Sequence, residues 1–371
     1  MTNTKIKVAV LGATGLVGQR FVRILADHPW FEIAALTASA RSAGKTYGAA
    51  VSWALGGDVP RAAAEMDILP TSAKRLAETG IQVAFSALPA ATAHGIEEEL
   101  RDAGLAVFSN ANAHRMDADV PILIPEVNDG HLELARGQAK RRGGSGFIVA
   151  NSNCTASGLV LALKPFEPFG IRTVIATSYQ AISGAGRRGL AAFDIAANVV
   201  PYIGNEEEKL ARESRKILGR LAGEAIEPAP FEFNASCARV PVRDGHLLSL
   251  AIELERDIEP DAAREALASF RGAPQELRLP TAPEAPVLVR REEDRPQPSL
   301  DVEAGSPERA KGMAVTVGRI RRSGRFLNLF ALVHNTIRGA AGTSVLNAEL
   351  AVRRGLIPHE GGPGRTKETR P

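Results

Sequence analysis

Residues 8–22 read VAVLGATGLVGQRFV: a β-branched run, then Gly12, Gly15 and Gly18, then a stretch with helical period. Small residues between a first strand and a helix let backbone amides approach a pyrophosphate at the helix N-terminus. A glycine triplet alone also fits an ordinary strand-to-helix turn. Its place after the first strand of an alternating half favours dinucleotide binding, with Gly12, Thr14, Gly15, Leu16, Val17 and Gly18 as the expected contacts.

Outward from this turn, short apolar runs (IKVAVL, EIAALT, IQVAFSAL, LAVFSN) alternate with helix-period stretches (LVGQRFVRILADH, TAHGIEEELRDAG) as far as about Ala150. Such βαβ alternation predicts an α/β fold with a Rossmann-like, doubly wound parallel sheet over residues 1–150. Beyond Cys154 the strand-like runs lengthen to TVIATSYQAIS, FNASCARVPV, HLLSLAIELE and MAVTVGRI, with EEEKLARESRKILGRLAG as a helix among them. This texture predicts a second, α+β domain of mostly antiparallel sheet over residues 151–334. The Pro- and charge-rich stretch from Gly272 to Ala310 reads as an extended excursion with at most one strand. Residues 335–357 read as a helix that packs back on the first domain, and the tail after Pro358 as loose.

A chain of 371 residues with 44% hydrophobic and 23% charged residues has room for two packed domains sharing a cleft. A net charge of +3 and few Trp and Tyr exclude a nucleic-acid footprint and leave anionic small molecules as ligands. No apolar run is long enough to span a bilayer, and no secretory core precedes the first strand. Two cysteines, Cys154 and Cys237, offer neither a disulfide framework nor a metal cluster, so no metal is expected and a cytoplasmic location is.

At the end of the second strand the sequence IAALTASARSAGK, residues 33–45, has no Asp or Glu for ribose hydroxyls. Ser39, Arg41 and Ser42 occupy the slot, and a guanidinium with two hydroxyls suits a 2′-phosphate, so NADP is the expected cofactor. Arg41 as a mere solvated loop residue is the bland alternative. Cys154 in NSNCTASGLVLALKPF stands at the start of a helix-period run, where the helix N-terminus is expected to supply thiolate near neutral pH. Isolated cysteines are as often small core residues, which is the reading kept for Cys237. His246, beside the probable turn at Asp244 and Gly245, is the better placed histidine for the base a thiol nucleophile needs.

The motifs GATGLVGQ, ARSAGKTYG, NSNC, YQAISGAG, PYIGNEEEK, SCARVPVRDGH, KGMAVTVGRI and LVHNTIRGAAGTSVLNAELA stand in one order along nearly the whole chain. In this the sequence resembles the aspartate-semialdehyde dehydrogenases, particularly their archaeal and fungal type. The resemblance implies a catalytic and dimerisation role for the second domain and a homodimer or homotetramer. It makes Cys154 the acyl-accepting nucleophile, His246 the acid/base catalyst and Gln180 the side chain orienting the acyl group. Arg239 then grips the α-carboxylate and Glu206 the amino group, with Glu207 and Glu208 as adjoining alternatives, while Arg115 meets phosphate and Lys209 phosphate or substrate. Ser86, Ser183, Gly184 and Asn335 become further cofactor contacts. The chain departs from the family pattern at Thr155-Ala156, where Ser-Thr is commoner, and at Arg187-Arg188, where Tyr-Pro is. The activity implied is NADPH-dependent reduction of L-β-aspartyl phosphate to L-aspartate 4-semialdehyde, a step toward lysine, methionine and threonine. A malonyl-CoA reductase of the same subfamily and a non-catalytic NADP-binding regulatory protein are the rivals.

Overall fold

The computed structural model describes residues 4–359, so the expected loose tail falls almost wholly outside the described residues. Strands β1 (Ile6–Leu11), β2 (Phe31–Ala38), β3 (Ile68–Pro70), β4 (Val83–Ser86), β5 (Ala106–Ser109) and β6 (Phe147–Ala150) form one parallel sheet in the order β3-β2-β1-β4-β5-β6. The order reverses between β1 and β4. Beyond the carboxyl ends of strands at such a reversal lies the crevice in which open α/β sheets bind ligands. The residues of β4, β5 and β6 are all buried, as expected of parallel strands covered on both faces.

Strand β7 (Ile171–Gln180) opens the second half, followed by a small hairpin, β8 (Arg220–Ala222) and β9 (Ala225–Glu227). Then come β10 (Glu232–Arg239), β11 (His246–Leu254), β12 (Val287–Val289), β13 (Val315–Ser323) and β14 (Phe326–Val333). The second sheet runs β10-β7-β11-β14-β13-β12 and is mixed: β7/β11, β11/β14 and β13/β14 are antiparallel, while β10/β7 and β12/β13 are parallel. Burial along β11 alternates residue by residue, the mark of a sheet with one face packed and the other more open. Ile175 and Tyr179, on β7, are exposed apolar side chains.

Between the two sheets in sequence lies the helix Cys154–Leu163, nine of whose residues are wholly buried, so its apolar side chains face core on every side. The final segment is not one regular helix. A π-turn at Ile337–Ala341 precedes the helix Gly342–Arg353, whose Val345, Leu346 and Leu350 share a core with Phe85 and Phe108 of the first sheet. In the excursion from Gly272 to Ala310, β12 is the one strand among the described residues. No helix among those residues is long and apolar enough to cross a membrane, and none of their His, Cys, Asp and Glu form a group of three able to hold a metal.

Candidate active site

The chain after β6 turns into the Cys154–Leu163 helix through Asn153, whose Oδ1 accepts from the amides of Thr155 (2.8 Å) and Ala156 (3.2 Å). This is an N-cap, the sequence signal being an Asn directly before an apolar helical run. It places Cys154 in the first turn, with Sγ 3.2 Å from Nε2 of His246, the first residue of β11. In the same sheet Gln180 ends β7 and Arg239 ends β10, and the two are register partners. Three strand termini thus converge on one cysteine. Arg239 is buried, donating from Nη1 to the Ala181 carbonyl at 2.9 Å.

Glu206 starts the helix Glu206–Ile217 and is buried. Its Oε1 accepts from Gln180 Nε2 and from Asn153 Nδ2, both at 3.0 Å. Glu207 instead accepts the Cys237 amide on β10, and Glu208 is exposed, so the glutamate that reaches the site is Glu206. Lys209 follows one turn later, half-buried. Thr155 Oγ1 reaches Glu206 Oε1 at 3.4 Å, whereas Ala156 is wholly buried and leaves no polar group to satisfy.

The electrostatics correct the expectation of ready thiolate. Burial, and after it the Glu206 carboxylate, pushes the Cys154 thiol up to about 12, with Arg115 and Arg239 opposing less strongly. A helix N-terminus contributes of the order of 0.3–1 kcal/mol, too little to offset the removal of a charge from water. Burial, and then Arg239, pulls His246 down to about 3. Its Nδ1 accepts the Ala181 amide at 3.0 Å, so the imidazole proton belongs on Nε2, facing the sulfur. The resting pair is a neutral thiol beside a neutral imidazole that points a proton at it, not a histidine poised to take one. Cys237 is a buried residue of β10, its thiol raised to about 11 chiefly by burial.

Arg115 is held by protein groups through one N–H on each of its three nitrogens. It is buried, donating to Glu213 Oε1 (3.0 Å), the Asn151 carbonyl (2.8 Å) and the Asn110 carbonyl (3.1 Å). Asn335 is likewise engaged on both sides of its amide, accepting the Gly245 amide at 2.9 Å and donating to Ser183 Oγ at 2.8 Å. It braces the turn before His246. Ser86 has its hydroxyl buried, so a ligand at the end of β4 would meet backbone there. Gly184 sits against the reacting residues: a Cβ there would lie 2.6 Å from Arg239 Nη1 and 3.0 Å from His246 Cε1. Gly339, which the sequence did not mark, is similar, since its Cβ would meet Cys154 Cβ at 2.7 Å.

On the cofactor side Gly12 has φ +72°, and a Cβ would lie 2.7 Å from the Ala87 carbonyl, across the β1/β4 reversal. A Cβ at Gly18 would fall 2.2 Å from the Gly12 carbonyl. The first helix, Leu16–Leu25, has no side-chain cap, and Gln19 to Gly15 is its first i to i−4 bond. The amides of Leu16, Val17 and Gly18 are therefore the open donors of a helix N-terminus. Thr14 lies within this turn, its carbonyl accepting from Gln19 Nε2 at 3.0 Å. Ser39 and Arg41 are exposed beyond β2, with Ser42 half-buried and its amide bonded to the Ser39 carbonyl. This cradle fits a dinucleotide carrying a 2′-phosphate. A cavity of about 370 Å³ lies between Leu16 and the loop Ile182–Leu190. Arg187 of that loop reaches across to Ser52 Oγ, the structural outcome of one departure from the family pattern.

Comparison with known proteins agrees with this architecture. Residues 7–135 match the semialdehyde dehydrogenase NAD-binding domain, and residues 163–338 the semialdehyde dehydrogenase dimerisation domain. An aspartate-semialdehyde dehydrogenase of Archaeoglobus fulgidus is 47% identical over 95% of this chain and 100% of its own length. A malonyl CoA reductase (NADP) of Metallosphaera sedula is 40% identical over 95% of this chain and 98% of its own. The crystal structure of a Candida albicans aspartate semialdehyde dehydrogenase with NADP superposes with a TM-score of 0.86 at 38% identity, covering 95% of this chain and 100% of that one.

Proposed function

The chain belongs to the aspartate-semialdehyde dehydrogenase family, and on that premise we propose that it converts L-β-aspartyl phosphate to L-aspartate 4-semialdehyde through a thioester on Cys154. The observation that carries this reading is a sulfur 3.2 Å from an imidazole with a buried carboxylate, Glu206, and a buried guanidinium, Arg239, beside it. An aspartyl group presents an ammonium and an α-carboxylate, the charges opposite to these two. Buried charges left unmet are costly, so the pair selects for both.

In the biosynthetic direction Cys154 attacks the acyl carbon, the acyl–oxygen bond breaks and phosphate leaves with the thiol proton as hydrogen phosphate, giving a thioester. The Gly12–Gly18 turn, with Ser39, Arg41 and Ser42 at the 2′-phosphate, would hold NADPH, which when bound would supply the hydride for the thioester carbon. The residues of this chain do the rest. With Nδ1 held by the Ala181 amide, Nε2 of His246 keeps its proton beside the sulfur and donates a hydrogen bond to the reacting group there. Gln180, fixed to Glu206, orients the acyl group. Lys209 serves the departing phosphate, and Arg115 adds positive field from its bonded position. Residues 1–150 with 335–357 form the cofactor half, and 151–334 the half that carries the chemistry. The dimerisation region supports an oligomer, and we place a homodimer contact on the sheet face bearing Ile175 and Tyr179. A cytoplasmic setting keeps both cysteines, which are unpaired, as thiols.

The test is a spectrophotometric assay of purified protein with L-aspartate 4-semialdehyde and NADP. NADPH is expected to form when phosphate or arsenate is supplied and not without them. Malonyl-CoA, which brings no cation to Glu206, is expected to leave NADPH unoxidised. Turnover of malonyl-CoA with none of the semialdehyde would replace the substrate while leaving Cys154 its role.

A further inference from the structure

We infer that Glu213 is a positioning residue for the nucleophile, acting through the backbone amide of Asn153. The inference rests on Cys154 being the reacting sulfur and on no particular substrate. Glu213 is 3% exposed. It stands seven residues after Glu206 on the helix Glu206–Ile217, so two turns bring both carboxylates to one face. Its Oε2 accepts the Asn153 amide at 2.6 Å and its Oε1 accepts Arg115 Nη1 at 3.0 Å.

Asn153 is thereby held from every side. Its amide goes to Glu213, its Nδ2 to Glu206 and its Oδ1 to the first turn of the Cys154–Leu163 helix. Arg115 tightens the same frame by donating to the Asn151 carbonyl two residues earlier. The peptide that carries Cys154 hangs from Asn153, so the hold on that amide sets where Sγ sits relative to His246. An N-cap residue has left helical geometry, and its amide has no intrahelical acceptor. Buried, it needs a partner, and an ionised carboxylate is a strong one. Arg115, bonded to its other oxygen, aims that carboxylate.

Two variants of the full chain separate the hold on the amide from the charge. Glu213→Gln keeps the reach and an oxygen for the Asn153 amide but loses the charge that faces Arg115. Glu213→Asp keeps the charge but falls short by one methylene. The readouts are the rate of Cys154 alkylation by iodoacetamide, followed on its peptide by mass spectrometry, and kcat and KM in the assay above. Glu213→Gln is expected within about threefold of the parent in alkylation rate and kcat. Glu213→Asp should lose tenfold or more in kcat, as misplacements near 1 Å do, and shift the alkylation rate tenfold or more, with KM for NADP within about twofold. Alkylation needs no substrate, so it reads the inference even if the assigned reaction is wrong. Loss in Glu213→Gln equal to or greater than in Glu213→Asp would move the effect to the charge on Arg115 and overturn the inference. Parent-like rates in both would do the same. Hydrogen exchange of the Asn153 amide decides the matter if the aspartate variant does not fold. Strong protection in the parent and in Glu213→Gln is expected, and free exchange in either overturns the inference.

Discussion

At the β1/β4 reversal the groups that reach the cleft from the first sheet are backbone: the amides after Gly15 and the close approach of Gly12 to the Ala87 carbonyl. From the second sheet they are side chains carried at strand ends, Gln180 closing β7, Arg239 closing β10 and His246 opening β11. The difference follows from what each half meets. A pyrophosphate is bound by many weak donors whose identity is indifferent, so the sequence needs small residues there more than particular ones. A reacting carbonyl needs one nucleophile and one proton carrier at fixed distance, which backbone does not supply.

Cys154→Ala should break the second half alone: turnover is expected to fall by roughly 10⁴-fold or more, while titration finds NADP affinity within about twofold of the parent. Substantial residual activity would dismiss the thioester. A matched pair of glycine variants sharpens the contrast. Gly12→Ala forces a Cβ into a left-handed turn against the Ala87 carbonyl and should cost about 1–3 kcal/mol of NADP binding, or roughly ten- to a hundredfold in Kd. Gly184→Ala pushes on Arg239 and His246 and should lower kcat by about a hundredfold with NADP binding nearly unchanged. If the two variants gave the same kinetic signature, the division between backbone and side-chain halves would be wrong.

Arg41→Ala is expected to weaken NADP by about ten- to a hundredfold, the worth of one charge-assisted contact, and to leave NAD binding as it was. Equal weakening of both would make Arg41 a loop support. The smallest effect concerns acidity. A thiol pushed up to about 12 is protonated throughout pH 7–9, so alkylation of the cofactor-free enzyme should rise about tenfold per pH unit without levelling off. Glu206→Gln removes a negative charge, which lowers the thiol pKa and should speed alkylation at pH 8 by roughly three- to tenfold. Burial, the larger cause, stays in place. A plateau below pH 8 in the parent would contradict the raised thiol.

Strands β1, β2, β4 and β5 were legible because each is a short apolar run between helix-period stretches. Strand β3, with three residues, is too short to carry a period of its own. The run FLNLFALV of β14 is short and apolar, and periodicity alone does not separate a buried strand from a buried helix. Within the site, the helix start at Cys154 and the turn before His246 could be read locally. What surrounds Asn153 could not, since Glu206 and Glu213 lie 53 and 60 residues away and meet it through the tertiary fold. The acidity of Cys154 follows the same rule: a helix N-terminus is visible in sequence, whereas the neighbours that take its sulfur out of water and the Glu206 carboxylate beside it are not.

A thiol held protonated has a consequence for survival in an oxidising cell. Peroxide attacks the thiolate, and the first step toward sulfenic and sulfinic acids is fast in proportion to how much thiolate is exposed. A sulfur that stays protonated between turnovers spends little time in the vulnerable form, so this enzyme should age slowly under peroxide while idle and lose activity fastest when it is working.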